Sequence, residues 1–369
     1  MQQEPHPLAG ALRFQTILIT GGAGFVGSNL AIWLKSRYPA THIIAADNLR
    51  RGGSETNLPR LREHGIEFVH CDIRNPEDLR LERRPIDLIL ECSAEPSVLA
   101  GYADAPDYVI NTNLVGTINC LELARRCGAS VVFLSTSRVY PIATLNTLAW
   151  GETDTRFVLS DAQSVLGASA HGIAETFPLE GARSLYGTTK LCSELLIQEY
   201  GAMYGIPYII NRCGVLTGPW QMGKVDQGVF TLWVAMHYFQ RDLSYIGWGG
   251  AGKQVRDLLH IADLADLLDI QLGRFAEFSG MTFNVGGGVA SSLSLCETTE
   301  LCQEITGHTI PIQHVDVNRP ADLALYITDH RRITQATGWA PRRTPRETLA
   351  AIYDWIRSAE PLVRHIWAG

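Results

Sequence analysis

The chain has 369 residues, of which 46% are hydrophobic and 19% charged, with 34 glycines and a net charge of −7. That length can bury a substantial core and hold one large unit plus a smaller one. The negative balance gives no general attraction to nucleic acid or an anionic membrane, and no run of ~18 apolar residues could span a bilayer.

Residues 1–15 carry Pro5 and Pro7 and lack a basic start leading into an apolar run. They read as a disordered extension rather than a signal peptide. Short apolar runs then predict strands at 16–20, 42–46, 67–70, 87–91 and 130–135. Amphipathic patterns predict helices over 25–37 and 106–127. Strands of this kind, separated by helices, describe an α/β, Rossmann-type doubly wound parallel sheet covered on both faces.

Residues 141–185 break the rhythm, and a stretch this long without periodicity reads as an active-site insertion. A helix over 186–204 and a strand at 208–211 complete an NAD-binding unit spanning 16–212. Further elements are a helix at 261–274, a strand at 281–285, a helix at 293–306 and a last helix at 345–358, with Pro345 at its start. Residues 213–369 thus form a smaller C-terminal α/β substrate-binding lobe, with some elements returning to the main sheet. The eight cysteines include no Cys-x-x-Cys. They read as reduced thiols of a cytoplasmic protein, with no metal site.

Gly21-Gly-Ala-Gly24-Phe25-Val26-Gly27 lies between the first strand and helix. Glycines there permit a tight turn and close approach of phosphate, and the helix N-terminus favours the anion. Asp47 ends the second strand, where a carboxylate accepts ribose hydroxyls and repels a 2′-phosphate, favouring NAD. The neighbouring Arg50 and Arg51 offer the opposite option of serving that phosphate. Asp72, followed by Ile73, ends the third strand within reach of an adenine.

Tyr186-Gly-Thr-Thr-Lys190 puts a phenol and an ammonium one helical turn apart on one face. Lowering a tyrosine from ~10 to ~7 takes about 4 kcal/mol. A positive charge at ~4 Å and an effective dielectric of ~20 supplies about that much. Tyr186 then serves as general base and acid toward a sugar hydroxyl, with Lys190 as its charge. Ser135-Thr136-Ser137 ends the fifth strand, where open α/β sheets collect ligands. Thr136, with Ser137 beside it, is the expected partner of the reacting oxygen.

These blocks, with Asp47-Asn48-Leu-Arg50, Ser135-Thr-Ser-Arg-Val-Tyr140 and Ser93-Ala94, resemble the extended short-chain dehydrogenase/reductase family of nucleotide-sugar epimerases and dehydratases over about residues 16–357. Phe68–Asn75, Asp226-Gln-Gly228, Gly252–His260 and Phe283–Gly287 are most similar to its CDP-tyvelose (CDP-paratose) 2-epimerase group. The resemblance implies bound NAD, a redox-neutral epimerisation through a ketone, and a CDP- or UDP-sugar substrate. It also implies a diphosphate contact for Arg256 and substrate contacts for Arg138 and Gln227. It places Asn113, Ser93, Ala94, Ser135 and Asn48 at the cofactor, and it implies a homodimer or homotetramer built on the helices at 106–127 and 186–204.

Three departures stand out. Ser137-Arg138 occupies the position of the Asp-Glu pair of the 4,6-dehydratases. Glu91-Cys-Ser-Ala94 replaces the common His-x-Ala-Ala, and Pro141 stands where glycine is usual. A UDP-hexose 4-epimerase, another sugar-modifying relative, or an NAD-binding sensor without catalysis are the alternatives.

Overall fold

The computed structural model describes residues 12–367, apart from 82, 103–104 and 225–226. Its centre is a parallel sheet of seven strands: β1 (Thr16–Thr20), β2 (His42–Asp47), β3 (Glu67–His70), β4 (Leu88–Glu91), β5 (Ser130–Thr136), β6 (Tyr208–Cys213) and β7 (Met281–Val285). They lie in the order β7-β6-β5-β4-β1-β2-β3, so the winding reverses between β4 and β1. Ligands of such sheets bind at that reversal, outside the carboxyl ends of the strands. Met281–Val285, from the second half of the chain, pairs in parallel with β6.

The alternation of apolar side chains explains the layers. Ile17, Ile19, Ile43, Leu88, Val132 and Ile209 face one core with helices α1 (Phe25–Arg37) and Ile261–Gly273. Leu18, Ile44, Ile89, Val131, Phe133 and Ile210 face the other, with helices α2 (Gly116–Cys127) and α3 (Leu185–Tyr204). Strands buried on both faces carry continuous apolar runs, as residues 17–19, 43–46, 88–90 and 131–134 show.

A second sheet joins Val215–Thr217, Val255–His260, Ser292–Ser294 and Leu325–Tyr326. It is packed beside helices Val229–Tyr238, Leu295–Thr306 and Pro345–Ser358. Among the described residues, no helix is long and apolar enough to cross a membrane.

Three expectations change. Residues 1–11 of the supposed extension lie outside the described residues, but Phe14 is buried edge-on against Phe275 at 5.3 Å, so the segment is anchored by residue 14. The helix expected over 106–127 is interrupted by a π-turn at Asn111–Val115. There the Asn113 carbonyl accepts the hydroxyls of Thr117 at 2.8 Å and Ser193 at 3.1 Å. The 141–185 segment folds into a helical turn and two small hairpins, Trp150–Glu152 with Phe157–Leu159 and Ala168–Ser169 with Gly172–Ile173. It is bonded to the second lobe: Phe157 N–H donates to Lys253 and Ile173 N–H to Ile327, at 3.0 and 2.8 Å.

His260 caps helix Ile261–Gly273, its Nδ1 accepting the Ala262 N–H at 3.0 Å. Burial, aided by Arg343, lowers this imidazole from 6.5 to about 4. The unfolded chain takes up the proton near 6.5 and the folded one only near 4. Stability is therefore full above 6.5 and declines through that window, by up to about 3 kcal/mol. His260→Asn keeps a capping acceptor. Its urea midpoint should fall less between pH 7 and pH 4.5 than that of the native chain.

Candidate active site

The chain leaves β1 through Gly21, at φ 62°, and enters α1 at Gly24. A Cβ on Gly27 would lie 2.2 Å from the Gly21 carbonyl oxygen, so only glycine lets the first helical turn rest on the loop. No side chain caps the helix and its first turn holds no acid, leaving its N–H groups directed at the loop. A cavity of about 190 Å³ opens there, lined by Gly21, Gly24, Phe25, Val26 and Gly27 of the loop. Asp47, Asn48, Asp72, Ile73, Ser93 and Ala94 complete the predicted part of its wall. A carboxylate at the strand end, a glycine cradle and an uncapped helix suit a dinucleotide.

Asp47 accepts the N–H groups of Ala23 at 3.1 Å and Leu49 at 2.8 Å, and burial raises its carboxyl above the usual range. Asp72 pairs with Arg74 and accepts from Asn48 at 3.1 Å; mainly through Arg74 its carboxyl falls to about 2.

Two predicted cofactor contacts are committed elsewhere. The Arg50 guanidinium stacks on the Tyr108 ring at 4.2 Å and is not among the residues lining the cavity. The Asn113 side chain is buried away from it, bonded to the Glu95 backbone and the Thr189 hydroxyl. Sequence spacing could locate these two residues but not where their side chains turn.

A second cavity of about 530 Å³ shares Phe25, Val26, Cys92, Ala94, Gln221 and Gln227 with the first. Its wall brings together Ser135, Thr136, Ser137, Arg138, Tyr186, Lys190, Gln227 and Arg256, from four separate stretches of chain. Helix α3 reaches it because Gly187 allows contact with the loop after β5. A Cβ on residue 187 would lie 2.0 Å from the Arg138 carbonyl oxygen. Ser184 caps the helix by accepting the Gly187 N–H at 3.2 Å. Tyr186 thereby reaches the same cavity wall as Thr136, whose hydroxyl acts on the phenol.

Burial pushes the Tyr186 phenol up to about 12, opposed by Thr136 and by the charge of Arg138. Burial thus outweighs these neighbours in the protein by itself; the expectation joined the Lys190 charge with that of an oxidised nicotinamide. Lys190 is buried, with its ammonium 3.8 Å from Glu91 and 4.0 Å from the centre of the Phe133 ring. The Ser135 hydroxyl is bonded to Glu194, which also forms a buried ion pair with Arg212 at 2.7 Å.

Arg138 donates to the Ala321 carbonyl at 3.2 Å, and burial lowers it to about 10. Arg256 donates to the carbonyls of Val255 and Leu323, both at 2.8 Å, and meets Asp322 at 3.4 Å.

The structure adds residues that the sequence reading passed over. Arg319 and Asp322 line the larger cavity from a loop with no periodic signal. Arg51 donates to the Gln227 side chain and, at 3.2 Å, to the Met222 carbonyl, tying the loop after β2 to the second lobe. Asp226 of the Asp226-Gln-Gly228 segment lies outside the described residues. No described residue of 141–185 is among those lining either cavity; the segment is bonded to the second lobe instead.

Fold and comparisons together define an α/β enzyme with NAD as its cofactor. The sequence profile of the NAD dependent epimerase/dehydratase family matches residues 17–286, and the chain belongs to that family. It is 30% identical to CDP-paratose 2-epimerase of Salmonella typhi, over 93% of this chain and 99% of that one. Among solved structures, it resembles the dTDP-glucose 4,6-dehydratase DesIV of Streptomyces venezuelae with NAD bound, at TM-score 0.77 and 26% identity, covering 95% of this chain and 99% of that one. The UDP-glucose 4-epimerase of Thermus thermophilus in complex with NAD gives TM-score 0.74 and 26% identity, covering 93% and 99%.

Gly187→Ala tests the contact that delivers the phenol. The added methyl should cost about 2 kcal/mol and reduce turnover by separating Tyr186 from Thr136. Thermal unfolding and activity measured together check this; an unchanged melting temperature and rate would show that helix and loop part freely.

Proposed function

We propose that the chain is a nucleotide-sugar epimerase that inverts a ring carbinol through a ketone, in its sharpest form 2-epimerisation of a CDP-3,6-dideoxyhexose. The observation that carries this reading is that Tyr186, Thr136 and Lys190 line one cavity, which shares part of its wall with the cavity at the glycine loop. NAD supplies a hydride acceptor that gives the hydride back, so the sugar is neither oxidised nor reduced overall. Tyr186 Oη takes the hydroxyl proton as the ketone forms and returns it on reduction. Thr136 and Ser137 hold the reacting oxygen, and Lys190 supplies positive charge one turn away.

Asp47 receives the adenosine ribose. Arg50 and Arg51 are occupied by Tyr108 and by the second lobe, which supports NAD over NADP. Arg256, Arg319 and Gln227 take the diphosphate, a task suited to forked guanidinium groups. Arg138 extends into the sugar space. Its presence with Ser137, in place of two carboxylates, leaves water elimination without its acid and base and so favours epimerisation over dehydration.

The second lobe, from residue 213, is the substrate side. Leu195, Met203 and Tyr204 expose apolar surface on α3. This supports pairing of α2 and α3 with those of a second copy, in a homodimer or homotetramer of the cytoplasm.

Tyr186→Phe should abolish turnover while the protein still retains NAD, assayed by nicotinamide released on denaturation; undiminished turnover would remove Tyr186 from the mechanism. In competition, NAD should displace NADP. Incubation with CDP-, UDP-, GDP- and dTDP-sugars in deuterated water, followed by proton NMR, identifies substrate and carbon. The inverted carbon should carry protium, because the hydride returns to the sugar it left. Deuterium at that carbon would indicate proton abstraction beside a carbonyl instead. Inversion at C4 of a UDP-hexose would replace the 2-epimerase version.

A further inference from the structure

Glu91 ends β4, and the chemistry proposed above does not use it. Its side chain is fully buried at 1% exposure. Oε1 is held by the strand ends, accepting the Ser93 N–H at 3.1 Å and the Thr20 hydroxyl at 3.4 Å. Oε2 has no hydrogen-bond partner among the described residues and lies 3.8 Å from Lys190 Nζ. The ammonium is equally enclosed, at 2% exposure, with the Phe133 ring on one side.

Other ionisable groups around the pair come from four elements. The thiols of Cys92, Cys120 and Cys213 are all raised by burial, so they remain neutral at ordinary pH. Tyr186 stands one turn away on α3, and Arg138 and Glu95 act on that phenol from the cavity side. Of the carboxylates in this set, Glu91 is the one in contact with the ammonium.

A buried lysine without a counter-ion loses its proton several units below its usual range, because a desolvated ammonium is costly. A carboxylate fixed by the strand and open on one oxygen offsets that cost; burial raises the Glu91 carboxyl in turn, and the charge of Lys190 is what chiefly opposes this. We propose that Glu91 is a positioning residue, the counter-ion that keeps Lys190 charged and fixed one helical turn from the phenol of Tyr186. This rests on the roles given above to Tyr186 and Lys190. Removing the carboxylate would leave the lysine neutral, and Tyr186 would lose the nearest charge on its own helix.

The sequence holds four lysines, Lys35, Lys190, Lys224 and Lys253. Protein labelled with 13Cε-lysine therefore gives four signals, and Lys190→Arg assigns the one of interest. With NAD present, the native Lys190 signal should hold the ammonium position up to pH 9. In Glu91→Gln it should move to the amine position within that range, while Glu91→Asp, which keeps the charge, should restore the ammonium position. If Glu91→Gln does not fold, Glu91→His, neutral above about pH 7, serves as the second charge-removing variant. An ammonium signal up to pH 9 in a folded charge-removing variant overturns the proposal, as does an amine signal in the native protein. The readout needs no substrate, so a sugar panel without conversion would refute the epimerase reading and leave this result standing.

Discussion

The site depends on one close approach, the seating of α3 against the loop that follows β5. Residue 187 must be glycine because its backbone lies where any Cβ would meet the Arg138 carbonyl oxygen. That contact brings a strand-end hydroxyl and a helical phenol, 50 positions apart in the chain, to the wall of one cavity. The helix is held from below as well, by the buried ion pair of Glu194 with Arg212 and the bond of Ser135 to Glu194. Removing one member of such a pair leaves an uncompensated buried charge, which makes the seating cooperative.

Electrostatically, the site is an enclosed region in which burial dominates. It raises the phenol, the nearby thiols and the Glu91 carboxyl, and it lowers Arg138 and Arg256. Opposing contributions come from particular neighbours, such as Thr136 and Arg138 on the phenol and Lys190 on Glu91. In a low-dielectric site these pairwise terms are large enough for single residues to decide protonation.

The second lobe is joined to the first by more than the chain crossing between them. Arg51 reaches across to Gln227 and Met222, and the 141–185 segment is bonded to the second lobe through Phe157 with Lys253 and Ile173 with Ile327. These ties hold two walls of one crevice, the dinucleotide loop on one side and the arginine-bearing loops on the other.

The seven strands, the helix after the glycine loop and the pairing of Tyr186 with Lys190 on one face were legible from sequence, because strand burial and helical periodicity are local and repeat along the chain. The glycine loop was equally legible, since its requirement for absent side chains is written in consecutive residues. Other features were decided only by tertiary packing. Asn113 turned inward and Arg50 turned to Tyr108 because their nearest partners come from distant segments. The 141–185 stretch became a brace because its apolar residues meet a lobe encoded more than 60 residues later. The environment of the phenol was likewise invisible in the motif: spacing sets which groups share a helical face, but desolvation and the counter-charge at Glu91 arise only when strands and helices close around them.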